Sequence, residues 1–146
     1  MQNKQPVSLV MQSGAVTCAP GDTAERAALL LARCNVGMLP VVDGEGRLRG
    51  VVTDRDIVVR CVAAGEDPRQ TPVREVMTRS VVTVPPSLDA AEAARLMRRE
   101  QVRRLPVSDG KRLLGVVSLG DVARRAGLMP EAAAAFADVS SNRHRL

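Results

Sequence analysis

The sequence predicts an α/β protein: two copies of one β-α-β-β-α unit packed sheet to sheet in a single pseudo-two-fold module. Three observations carry this. Residues 11–43 realign onto later residues after a shift of 66, and residues 47–60 after a shift of 65, with 21 identities in 47 positions. Short apolar runs bounded by Pro, Gly and Asp alternate with stretches of helical period. One copy, at about 55–60 residues, is marginal on its own, so two are expected to share a module.

The repeat aligns Met11 with Met77, Val16-Thr17 with Val82-Thr83, Leu39-Pro40-Val41 with Leu105-Pro106-Val107, and Gly50-Val51-Val52 with Gly115-Val116-Val117. Each copy opens with a short strand, 15–18 or 81–84, that stops at proline. A helix follows, capped by Thr23 or Asp89, with Ala27, Leu30, Leu31 and Cys34 at the i, i+3, i+4, i+7 spacing of a buried face. Strands at 38–42 and 104–107 turn through Asp43-Gly44-Glu45-Gly46 or Ser108-Asp109-Gly110 into strands at 48–53 and 113–118. A second helix, 54–64 or 119–126, closes the unit, with Gly65 and Gly127 as stops. The domain boundaries read as repeat 1 at 8–67, a polar linker at 68–75, repeat 2 at 76–127 and a tail at 128–146, helical over 131–139 and frayed from 140.

Composition narrows the function. Of 146 residues, 45% are apolar and 25% charged, with a net charge of +5 and one aromatic, Phe136. No run of about 18 apolar residues could span a membrane, and the first ten residues lack the apolar core of a secretory signal, so a cytoplasmic location is expected. Single-stranded nucleic-acid binders stack bases on aromatic faces, which this chain lacks. Positive charge gathers at residues 95–125, a net of +6, against −2 for residues 10–67. No helix-turn-helix, zinc-finger or aromatic RNA-binding pattern accompanies it, so Arg95, Arg98 and Arg99 read as a solvated helix face and nucleic acid is not the expected partner. Cys18, Cys34 and Cys61 are odd in number and without CxxC spacing, and read as buried free thiols; a redox or metal sensor using Cys18 and Cys34 is the alternative. His144 has no partner in a nucleophilic or metal-ligating pattern, and an enzyme is not expected.

The sharpest motif is G-V-V-[ST]-x-x-D, at Gly50 to Asp56 and again at Gly115 to Asp121. Hydroxyl-x-x-acid at a strand-to-helix junction is a capping box. The same groups suit a nucleoside phosphate: free N–H groups and the hydroxyl of Thr53 or Ser118 attract phosphate, while Asp56 or Asp121 can accept two hydrogen bonds from a ribose diol.

These residues, with the segments QVRRLPV and GMLPVVD ahead of GVVSLGDVARR and GVVTDRDIVVR, closely resemble the CBS domain, and the tandem resembles a Bateman module of the stand-alone bacterial kind. The resemblance covers residues 8 to 127. It implies binding of AMP, ADP, ATP or S-adenosylmethionine in clefts between the repeats, no resident cofactor, and a change of repeat orientation that signals occupancy to a protein partner, in a homodimer. It places Asp56 and Asp121 on ribose, Thr53 and Ser118 on phosphate, and Val16-Thr17-Cys18, Val82-Thr83, Gly37-Met38-Leu39-Pro40 and Arg103-Arg104-Leu105-Pro106 against adenine. Arg103 and Arg104 stand where copy one has Gly37 and Met38, so the second copy is expected to favour more phosphates. Copy one offers Arg55 beside the opposing Asp54. The alternatives are solvated strand-edge arginines, and a ligand-free interaction protein in which both motifs serve only as caps.

Overall fold

The computed structural model describes residues 4–143, with side chains through 140. Its strands are β1 (Met38–Val42), β2 (Leu48–Thr53), β3 (Arg104–Ser108) and β4 (Leu113–Ser118). Its helices are α1 (Ala24–Cys34), α2 (Asp54–Ile57), α3 (Val73–Val76), α4 (Ala90–Glu100), α5 (Leu119–Arg124) and α6 (Met129–Arg143). β1 pairs with β2 and β3 with β4 in two separate two-stranded sheets, and the short connections make each pair an antiparallel hairpin. The expected mixed α/β class with two small sheets is what the chain forms.

The opening strands of each copy shrink to single parallel bridges, Cys18 to Val41 and Val84 to Val107. Each consists of two hydrogen bonds: the amides of Cys18 and Val84 donate to the carbonyls of Pro40 (3.0 Å) and Pro106 (3.1 Å), and the amides of Val42 and Ser108 donate back. Pro40 and Pro106 have no N–H, and Pro20 and Pro85 follow close behind, so neither ladder can lengthen. The second helices are also shorter than expected. α2 gives way to a π turn at Val58–Val62, and α5 ends at Arg124. Gly65 (φ 76°) and Gly127 (φ 67°) stand beyond them in the left-handed region, as helix stops do.

Thr23 caps α1, its hydroxyl accepting from the Arg26 amide at 3.1 Å. Asp89 holds the same place before α4 but its carboxylate accepts from the Gln5 amide instead. Ala27 and Leu31 are buried as the periodicity requires, whereas Cys34, on the last turn before the left-handed Asn35, is exposed. Arg95, Arg98 and Arg99 are exposed on α4. α6 extends through Arg143, past the expected fraying point at 140; His144 lies outside the described residues.

The chain divides into two compact units whose borders are not those of the repeats. The first-repeat unit holds Val16–Val81 with Lys111–Leu113; the second-repeat unit holds the chain up to Ala15, Val82–Gly110 and the chain from Leu114 on. The cores show why. Val73, Val76 and Met77 are buried among Ala27, Leu39, Val41 and Cys61, and Val7 and Val10 among Ala93, Met97, Leu105 and Val122. The stretch leading into each repeat therefore completes the core of the other. A pair of arginines fixes both exchanges. Arg60 donates to the carbonyls of Val76 (3.3 Å) and Met77 (2.8 Å), and Arg125, its counterpart, donates to those of Val10 (3.4 Å) and Met11 (3.1 Å).

Candidate functional site

Both G-V-V-[ST]-x-x-D motifs form complete capping boxes. The Thr53 hydroxyl accepts from the Asp56 amide and Asp56 Oδ2 accepts from the Thr53 amide, each at 3.0 Å; Ser118 and Asp121 repeat this at 3.1 and 3.0 Å. Capping alone does not explain how deep the acids lie. Asp56 is 8% exposed and Asp121 2%, and burying a carboxylate is costly unless its oxygens are satisfied. One oxygen of each is occupied by the cap.

The second oxygen distinguishes the copies. Asp56 accepts from the Thr78 hydroxyl, at 3.2 Å to Oδ1 and 3.3 Å to Oδ2. Asp121 Oδ1 faces only the Arg125 Nε, at 3.9 Å, among the described residues. The sequence repeat aligns Thr78 with Gln12, and that one difference was the available signal. Thr78 reaches Asp56 because the exchanged segment bridges to β2: the Val51 amide donates to the Thr78 carbonyl at 3.0 Å and the Thr78 amide donates back at 2.8 Å. The motif glycine permits this approach, since a Cβ on Gly50 would stand 2.5 Å from the Thr78 carbonyl oxygen. Thr78→Val is expected to lower the stability of the first-repeat unit by about 1–2 kcal/mol, because a buried carboxylate loses a donor; the urea midpoint measures it.

The remaining sequence-predicted residues fall around these two boxes. In the first-repeat unit, Met38 pairs with Thr53 and Leu39 with Val52, so Met38 to Pro40 run beside the strand half of the motif. Cys18 bridges to Val41; Leu39 and Pro40 are buried; Val16, Thr17 and Arg55 are exposed. A cleft of about 760 Å³ in this unit is lined by Arg60, Arg74, Glu75, Met77, Thr78, Arg79 and Ser80. It carries three guanidiniums against one carboxylate, and none of its residues is among the site residues the sequence predicts.

In the second-repeat unit, Leu105 and Pro106 are buried, Val82 and Thr83 are exposed, and the Arg103 carbonyl accepts from the Leu119 amide at 3.0 Å. That bond sets Arg103 beside the start of α5. Arg103 and Arg104 are half-buried. The Arg103 guanidinium lies 4.6 Å from the centroid of the Phe136 ring and donates to the Ser140 hydroxyl at 2.9 Å.

Of the three thiols expected to be buried, Cys18 and Cys61 are and Cys34 is not. Burial, and after it the Asp22 carboxylate, push the Cys18 thiol up to about 12 from an ordinary 9.0. The unfolded chain gives up this proton first, so the stability the neutral thiol contributes is intact below pH 9 and is lost as the pH climbs toward 12. The unfolding midpoint is expected to fall across that window in wild type, and to fall less in Cys18→Ala. Among the described residues no group of three or more His, Cys, Asp or Glu could hold a metal ion.

A family model for the CBS domain matches residues 7–62 and again residues 73–127. The chain belongs to the CBS domain family. It is 44% identical over 113 residues to the CBS domain-containing protein YhcV of Bacillus subtilis, covering 77% of this chain and 79% of that one. The match is thus to a protein consisting largely of the CBS pair. The crystal structure of Hypoxic Response Protein I with two coordinated zinc ions is 32% identical with a TM-score of 0.76, over 82% of this chain and 98% of that one. The CBS domain pair of protein MJ0100, crystallised with 5′-methylthioadenosine and S-adenosyl-L-methionine, is 27% identical with a TM-score of 0.72, over 86% of this chain and 98% of that one. Among the described residues of this CBS pair, no helix is long and apolar enough to cross a membrane.

Proposed function

We propose that this CBS pair is a regulatory module that binds an adenine nucleotide of the AMP, ADP or ATP class and reports its occupancy to a protein partner. One observation carries the reading: Asp121 is a buried carboxylate with one oxygen held by its helix cap and the other facing, among the described residues, only the Arg125 guanidinium 3.9 Å away. A cis-diol supplies the two donors such a group can accept. The ligands of MJ0100 support the class, since both contain an adenosine ribose. S-adenosylmethionine is accordingly a candidate ligand here as well. No aromatic ring other than Phe136 is present to stack on adenine, so the base rests on aliphatic and backbone contacts of Leu105, Pro106 and their counterparts, and affinity is modest.

Occupancy acts as a population shift: a nucleotide that prefers one arrangement of the repeats moves the equilibrium toward it by no more than that preference. The module assigns itself no catalytic step, resides in the cytoplasm and functions as a homodimer, a state that sedimentation of the full chain tests directly. Isothermal titration with AMP, ADP, ATP and S-adenosylmethionine in turn tests the binding reading. Saturable heat with at least one is expected; silence with all four overturns it.

A further inference from the structure

We infer that α6 sets the phosphate preference of the second-repeat site by holding Arg103 away from incoming nucleotide. The inference rests on the reading that Asp121 binds a ribose. α6 has no counterpart in the first copy, and it anchors to α4 and α5 by burying Ala132, Ala135 and Val139. Its Phe136 and Ser140, one turn apart, both engage the Arg103 guanidinium. Phe136 is 51% exposed, so its ring is not needed to fill the core. A second tie lies alongside: the Gln101 side chain donates through Nε2 to Asp138 Oδ2 at 2.8 Å, and Arg98 Nε approaches the same carboxylate at 3.8 Å. The loop from Gln101 to Arg103 is thereby strapped to α6 on one side, while the Arg103 carbonyl holds the first amide of α5, two residues from Asp121, on the other.

The guanidinium is also incompletely satisfied where it lies. Its Nε is buried and has no hydrogen-bond acceptor among the described residues. A phosphate oxygen would supply one, and the planar fork suits two parallel bonds to it. To reach it Arg103 must leave Phe136 and Ser140, so their hold is subtracted from the affinity for any ligand that calls on Arg103 and not from the affinity for adenosine, which lacks phosphate.

Titration of the full chain with ATP and with adenosine tests this. In Phe136→Leu/Ser140→Ala, ATP is expected to bind at least about thirtyfold more tightly than in wild type, the worth of one charged hydrogen bond and one cation–π contact, while adenosine affinity changes less than about twofold. In wild type, ATP but not adenosine is expected to quicken amide hydrogen exchange in α6, a readout that does not depend on the variant. ATP binding unchanged in the double variant, with adenosine still bound and lost in Asp121→Ala, overturns control by α6 and leaves ribose binding standing. Failure of adenosine and ATP to bind wild type or either variant overturns both.

Discussion

Gly50→Val is expected to lower the stability of the first-repeat unit by about 3 kcal/mol or more, at the upper end of what overpacking a core costs. The reason is local and involves backbone on both sides. Any Cβ at this position lies 2.5 Å from the Thr78 carbonyl oxygen and 3.4 Å from the Met77 sulfur, and that carbonyl is already fixed by the Val51 amide. Neither a rotamer change nor a small rigid shift relieves the contact without breaking the bridge that carries Thr78 to Asp56. Gly115→Val should behave alike, since its Cβ would stand 2.6 Å from the Gln12 carbonyl oxygen and 2.8 Å from the Met11 sulfur. Gly44→Ala is the control: nothing lies within 4 Å of its Cβ, and a change within about 0.5 kcal/mol is expected. Urea midpoints for the three variants decide it, and a Gly50→Val protein as stable as the Gly44→Ala protein would refute the account of the motif glycine.

Asp121→Ala is expected to weaken adenosine binding by at least about a hundredfold, because two hydrogen bonds to a charged acceptor disappear together. The same change removes half of the capping box and should cost about 1 kcal/mol of stability. Ser118→Ala separates the two effects. It deprives the Asp121 amide of its acceptor yet leaves the carboxylate in place, so stability falls by a similar amount while affinity stays within a few fold. Asp56→Ala is expected to change ligand affinity less, because a diol at Asp56 must displace the Thr78 hydroxyl, whereas at Asp121 it displaces nothing nearer than Arg125 Nε. Calorimetric titration of the three variants, with denaturant melts alongside, reads both quantities. Equal losses of affinity in Asp121→Ala and Ser118→Ala would mean that the carboxylate acts only as a cap.

Local chemistry was legible in the sequence; long-range pairing was not. The hairpin strands, the Thr23 cap, both capping boxes and the glycine stops follow from residue type and spacing within a few positions, and the structure places them there. The opening strands are single bridges rather than ladders, and a proline-bounded apolar run looks the same in either case. Cys34 fitted the helical period but fell on the final turn, where periodicity no longer ensures burial. Asp89 has the residue type of a cap and is occupied by Gln5, 84 positions away. Thr78 reaches Asp56 from the start of the second repeat, 22 positions away, and Arg60 ties the same segment down through the Val76 and Met77 carbonyls. Phe136 is the lone aromatic of the sequence, and its partnership with Arg103 spans a distance no window of sequence covers.

The exchange of leading segments has a kinetic side. The Val7 amide bonds the Leu88 carbonyl at 2.8 Å, and the Gln5 side chain bonds the Ala126 carbonyl at 2.9 Å across 121 positions. During synthesis residues 5–11 leave the ribosome long before those acceptors exist, so their apolar side chains must wait, uncovered, for nearly the whole chain. Contacts this remote in sequence slow folding, and Val7 and Val10 settle only after the polypeptide around Ala126 has emerged.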